Sequence, residues 1–242
     1  MSDMQLVTKG RSEPIKGLLQ QARVHLELAT MHATPLAENG WSAEDTNALR
    51  ATLTKLDTDA AARADAFEAS NSHRNAEQVA IDQVKAFIRR LRNALPRALR
   101  ESPEAGITEG AFRAGETLRR STPKLSKYLL TIRPSVVRLD AALAPHFNGV
   151  LPSTILDPLK AALDSADARQ ENALAALPAE TQNVYESKGR LLQMIEDLNR
   201  AGKNAFDGNA TMAAMFNKDI LLRARTAGRK SRTDVEPVPA AT

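Results

Sequence analysis

The chain has 242 residues, 33 of them Lys or Arg against 29 Asp or Glu, and only nine aromatic side chains, 4% of the whole. So few aromatics exclude a β-sandwich, whose pleated faces are packed by aromatic and β-branched residues. Ala, Leu, Arg, Glu, Lys and Gln dominate instead, all good helix formers. The absence of cysteine rules out disulfides, thiolate catalysis and Cys-based zinc sites. Of the net charge of +4, three units sit in the last twenty residues, where Arg223, Arg225, Arg229, Lys230 and Arg232 face only Asp234 and Glu236. The body of the chain is therefore close to neutral. The expected class is all-α, an antiparallel bundle with heptad-type seams.

Residues 1–13 are polar and unpatterned, which predicts a disordered N-terminus. From Ile15 the apolar positions Ile15, Leu19, Ala22, Leu26, Ala29, Ala33 and Leu36 follow a 4-3-4-3 spacing, the seam of a packed helix. That helix stops near Pro35, and Asn39-Gly40 forms a turn. Ser42-Ala-Glu-Asp45 has the form of a capping box. The second helix carries Leu49, Leu53, Leu56, Ala60, Ala64 and Phe67, and the polar run Ser70–Asn75 predicts a break near Asn71. Without that break, Ser42 to Arg100 would be one rod of about 88 Å.

Beyond it Ile81, Val84, Ile88, Leu91, Leu95 and Ala98 restore the heptad spacing, with a kink expected at Pro96. A loop at 102–106 and a short helix at 108–120 follow. Thr122-Pro123 restarts a helix with seam Leu125, Leu129, Ile132, Val136, Leu139 and Leu143. After the loop 145–152, Thr154-Ile-Leu-Asp157 suggests a second capping box. Pro178 predicts a turn between a helix carrying Leu159, Leu163, Ala166 and Leu177 and one carrying Val184, Leu191, Ile195 and Leu198. Asp207-Gly208 ends that element, and Met212, Met215, Phe216 and Ile220 mark a short last helix. Residues 226–242, basic and then Pro-containing, read as a disordered tail.

The two halves align. Leu49 and Leu53 fall on Leu159 and Leu163, Ile88 and Leu91 on Ile195 and Leu198, Ala94 and Ala98 on Ala201 and Ala205, and Phe112 on Phe216. The breaks and caps recur in the same order. This predicts a helical unit at 14–121 and its copy at 122–225.

Chemistry is sparse. His25 and His32 lie seven residues apart on one helix, about 10.5 Å, too far to chelate one ion. They read as flank residues beside the seam. His73 and His146 fall in expected loops. There is no Glu-x-x-His, no phosphate loop, no nucleophile elbow and no dinucleotide fingerprint. No catalytic residue, metal ligand or cofactor is expected, and the chain reads as a non-enzyme. The N-terminal residues lack a leader's apolar region, and no apolar run reaches the ~18 residues of a membrane span, so a cytoplasmic protein is expected.

One segment stands apart. Lys85 to Arg100 holds six basic residues and no acid. Lys85, Arg89, Arg92 and Arg100 share one helix face, a candidate site for phosphates, nucleic acid or another polyanion. The competing expectation is an internal match to residues 154–186, where six acids face two basic residues. The leading functional expectation is a structural or protein-interaction module whose partner is a protein, either its own copy or another. Val24 and Leu28 on the first helix, with Leu130 and Val137 on the fifth, are its candidate contact residues.

Overall fold

The computed structural model describes residues 3–103, 106–113 and 121–233, with side chains followed through Thr226. Among the described residues every regular element is helical, and the all-α class holds. In chain order these are α1 (Asp3–Arg11), α2 (Ile15–Met31), α3 (Ala33–Glu38), α4 (Ala43–Glu101), α5 (Thr122–Leu143), α6 (Pro152–Ala205), α7 (Ala210–Ala213) and α8 (Asp219–Thr233). Short 3-10 turns occupy Glu109–Phe112 and Ala144–Phe147.

The capping box at the start of α4 forms as expected. Asp45 N donates to Ser42 Oγ at 3.1 Å, and Ser42 N donates back to Asp45 Oδ2 at 2.8 Å. The break near Asn71 does not form, because α4 runs unbroken for 59 residues. Polarity alone does not stop a helix. Ser and Asn cost well under about 1 kcal/mol each in a helix interior, whereas Pro costs about 3, and no Pro or Gly interrupts α4 before Pro96. Helix α6 likewise passes through Pro178 for 54 residues. The second capping box is also absent. Asp140 of α5 accepts from Ser153 N at 2.9 Å, while Asp157 is taken by Arg133.

The chain divides into two compact units, and not into tandem halves. One comprises Met1–Asp65 with Leu177–Thr242, here the terminal unit, and the other is Ala66–Ala176, the central unit. Each takes one part of α4 and one part of α6. The expected boundary at 121/122 missed this because heptad spacing marks which residues face inward, and not which helix they face.

The terminal unit packs Leu18, Leu36, Trp41, Leu49, Leu56, Val184, Leu191, Ile195, Leu198 and Phe216 into one core. Its N-terminal segment is ordered helix, contrary to expectation. Gly10 and Gly189 have no room for a side chain. A Cβ on Gly10 would stand 2.0 Å from Tyr185 O, and one on Gly189 2.0 Å from Leu6 O. Helices α1 and α6 therefore touch backbone to backbone. Lys9 Nζ then donates to Gln193 Oε1 at 2.6 Å and forms an ion pair with Glu196. Helix α8 extends to Thr233, so the residues from 226 to 233 are helical, where disorder was expected. Arg225 forks onto both oxygens of the buried Glu13.

A polar cluster lies inside this core. His25 is wholly buried, and its Nε2 is 2.6 Å from Asn199 Oδ1. Asn199 Nδ2 and Gln21 Nε2 both donate to Asn217 O, at 3.3 and 3.2 Å. Gln21 Oε1 accepts from Ile220 N and Leu221 N, so its side chain satisfies free donors in the first turn of α8. Because Gln21 and His25 face inward, the buried face of α2 runs through Leu18, Ala22, His25 and Leu28. This corrects two expectations. His25 is a core residue rather than a flank residue, and Leu28, at 4% exposure, is no contact residue. Val24, on the other side of the helix, is 36% exposed.

The central unit packs Val84, Leu91, Leu95, Phe112, Leu125, Leu129, Ile132, Val136, Leu139, Leu143 and Leu163. Tyr128 OH donates to Phe112 O at 2.8 Å and fixes the 3-10 turn Glu109–Phe112 on α5. Asn148 adopts a left-handed φ of 59° after the second 3-10 turn. The corner is held by Arg90, which donates to His146 O at 2.9 Å and Asn148 Oδ1 at 3.2 Å and stacks 4.6 Å over the Phe147 ring.

Candidate anion-binding site

The basic stretch of α4 lies in the central unit, where the buried Val84, Ile88, Leu91 and Leu95 fix its orientation. With that face inward, Lys85, Arg89 and Arg92 fall on the adjoining face, one helical turn apart. Residues 107–113 pass over them. The buried Ile107 and Phe112 anchor this segment and leave Glu109 and Arg113 exposed.

Between the helix and the segment is a cavity of about 430 Å³, lined by Lys85, Ile88, Arg89, Arg92, Asn93, Leu95, Glu109 and Arg113. Three of the four expected cations thus share one cavity. The fourth, Arg100, is not in its wall, and its Nε donates to Pro96 O at 3.2 Å. Sequence reasoning missed Arg113 and Glu109. They are 21 and 17 residues beyond Arg92, and only the buried Phe112 brings them back to α4.

Among the described residues of the central unit the expected internal charge match does not form. Asp157 receives both arms of Arg133 at 2.7 Å. Asp164 is bonded to Lys160 at 2.6 Å and to Ser126. Burial and then the charges of Glu171, Glu77 and Asp164 push the Asp167 carboxyl above its usual range, so this group faces other acids. Helical neighbours at i, i+4 and the adjacent α5 reach these carboxylates before α4 does.

The cations of the cavity are correspondingly uncommitted. Among the described residues Arg89, Arg92 and Arg113 make no ion pair, and Lys85 has only the exposed Asp82 at 3.6 Å. Arg90 and Arg97, on the same stretch, are engaged at the Phe147 corner and with Glu101. Three guanidinium groups around one space present planar, forked donors matched to phosphate or carboxylate oxygens.

The other charged groups offer less chemistry. Lys188 is buried with its Nζ 5.3 Å over the Tyr185 ring. Burial pushes its pKa down, the Glu13 charge opposes this, and the Arg63 charge adds to it. Among the described residues no three His, Asp or Glu side chains gather as a metal ion requires. No helix among them is long and apolar enough to cross a membrane.

Of the contact residues expected on α5, Leu130 is 58% and Val137 45% exposed. Arg229, Lys230 and Arg232 of the basic tail lie beyond the described side chains. No family model matches this chain, and neither a curated protein nor a solved structure matches it.

Proposed function

We propose that this protein binds a phosphate-bearing anion in the cavity of the central unit, through Arg89, Arg92 and Arg113 with Lys85 beside them. The observation that carries this reading is the convergence of three unpaired guanidinium groups, from two separate segments, on one space of about 430 Å³. Four like charges held together with a single carboxylate in the wall raise each other's energy, and an anion placed among them relieves that. Among the described residues Glu109 is the one acid of the wall, and no histidine or hydroxyl of theirs stands in it as an acid–base partner. The reading is therefore binding rather than catalysis.

Titration calorimetry with pyrophosphate should show binding at 50 mM salt that weakens steeply at 500 mM. The triple variant Arg89→Gln/Arg92→Gln/Arg113→Gln should lose more than about a hundredfold in affinity, since hydrogen bonds between charged groups contribute roughly 1.5–3 kcal/mol each. All three side chains are exposed, so its helical circular dichroism and melting temperature should stay unchanged. Equal affinity in the triple variant would reject the reading.

A second reading is association with a protein partner through α5. Leu130, Pro134, Val137 and Ala141 form an exposed apolar stripe along its outer face. If that partner is a second copy, light scattering should show a dimer that Leu130→Glu/Val137→Glu converts to monomer. A wild-type chain that stays monomeric up to about 1 mM, weaker than the usual affinity of a specific dimer, removes self-association.

A further inference from the structure

Glu109 is the unexplained member of the cavity. It stands in a wall with four cations, yet among the described residues it pairs with none of them. A carboxylate that served only to neutralise the arginines would lie against one of them, as Asp157 lies against Arg133 in the same unit. A site for a bare polyanion, on the other hand, gains nothing from a free negative charge.

The terminal unit offers a comparison. The alignment that sets Ile88 on Ile195 and Phe112 on Phe216 also sets Arg89 on Glu196, Arg92 on Asn199 and Arg113 on Asn217. There the counterparts are closed by the chain itself. Glu196 receives Lys9 and Lys218, and Asn199 holds His25 and the Asn217 carbonyl. Glu109 falls on Ala213, which has no polar side chain. The same place in one unit is thus a set of satisfied polar groups, and in the other a set of unsatisfied ones with an added carboxylate.

Resting on the anion-binding reading above, we infer that the ligand is a small phosphorylated polyhydroxyl compound, whose phosphate oxygens meet Arg89, Arg92 and Arg113 while a hydroxyl donates to Glu109. The wall supports a small and non-aromatic ligand. Among the described residues it contains no aromatic ring on which a nucleobase could stack, and its apolar members, Ile88 and Leu95, are nearly buried. Asn93 adds an amide that both donates and accepts, suited to further hydroxyls. Glu109 is then the specificity-determining residue. Its charge repels a ligand that is phosphate throughout and accepts from one that carries an alcohol beside the phosphate.

The test is a crossover measured by calorimetry on the full chain, with fructose 1,6-bisphosphate, pyrophosphate and a 20-nucleotide single-stranded DNA as probes. For the unmodified chain the sugar bisphosphate should bind tightest. In Glu109→Ala it should lose about tenfold, as expected for one hydrogen bond to a charged group, while pyrophosphate should gain. Glu109 is exposed, so this variant should fold as the parent does. Pyrophosphate binding that Glu109→Ala leaves unchanged, with no preference for the sugar bisphosphate, overturns this inference and leaves the anion-binding reading standing. Tighter binding of the DNA, abolished by the triple arginine variant, overturns it in favour of a nucleic-acid ligand. No binding of any probe overturns both.

Discussion

Replacing Phe216 with Ala should destabilise the terminal unit by about 3–5 kcal/mol, the range for truncating a fully buried aromatic side chain. The Phe216 ring is entirely buried, stacks on Phe206 with centroids 5.7 Å apart, and lies tilted to His32 at 6.5 Å. It also rests flush on the backbone of α6, where a Cβ on Gly202 would be only 2.2 Å from the ring. The hole left by Ala cannot collapse, because one wall is helix backbone. The counterpart variant Phe112→Ala should cost a similar amount in the central unit, where that ring is 1% exposed and its carbonyl holds Tyr128. Hydrogen exchange separates the two. Phe216→Ala should lower protection in α2 and in residues 184–205, and Phe112→Ala in α5 and residues 80–101. Identical loss across both sets in each variant would contradict the division into two cores.

Acidification should loosen the terminal unit through His25. Burial holds its pKa below the ordinary histidine value of 6.5, and hydrogen bonds to Asn199 and the Gln21 carbonyl only partly oppose that. Asn199 commits its amide nitrogen to the Asn217 carbonyl, so its oxygen faces His25 and places the imidazole proton on Nε2. Nδ1 then accepts from Gln21 Nε2 at 3.1 Å. The unfolded chain takes up a proton near pH 6.5, while the folded chain resists until a lower pH. Stability is therefore level above about pH 6.5 and falls as pH drops through the window between the two values. Protonation of Nδ1 lets it donate to the Gln21 carbonyl oxygen 3.0 Å away, but it ends the bond accepted from Gln21 Nε2 and so disturbs the side chain that holds Ile220 and Leu221. Urea midpoints measured from pH 8 to pH 5 should decline more steeply for the parent chain than for His25→Gln. Parallel declines would show that other groups set the acid limit.

Much of the helical class was legible because the composition left little else and the apolar spacing was regular. Leu49, Leu56, Leu91, Leu129, Ile195 and Leu198 are all buried where the seams placed them. The Ser42–Asp45 cap was equally plain, since a capping box is local chemistry. What misled was polarity. The Ser70–Asn75 run looked like a break because it has no apolar residue, yet it contains nothing that opposes helical dihedrals. His25 read as a flank residue, and a seam drawn through Leu19, Leu26 and Ala29 left Leu28 outside it, because a mutually satisfied polar cluster has no signature in one helix alone.

The site was half legible for the same reason. Lys85, Arg89 and Arg92 declare themselves by helical spacing, whereas Arg113 and Glu109 join them through a fold-back that only the burial of Ile107 and Phe112 enforces. Whether the acids of α6 would quench those arginines depended on which neighbours reached them first. Arg133 and Lys160 did.

The way α4 and α6 are shared between units has a consequence for biosynthesis. The central unit is one uninterrupted stretch, Ala66–Ala176, so every residue of its core has left the ribosome once Ala176 emerges. The terminal unit has no such independence. Its first 65 residues must wait, with Leu18, Leu36 and Leu49 uncovered, until Val184 to Leu221 are made. On the ribosome the central core should therefore be completed before the terminal one, a departure from the usual N-terminal precedence. A nascent chain stalled just after Ala176 has cleared the ribosome would carry a finished cation-lined cavity and an unfinished terminal unit.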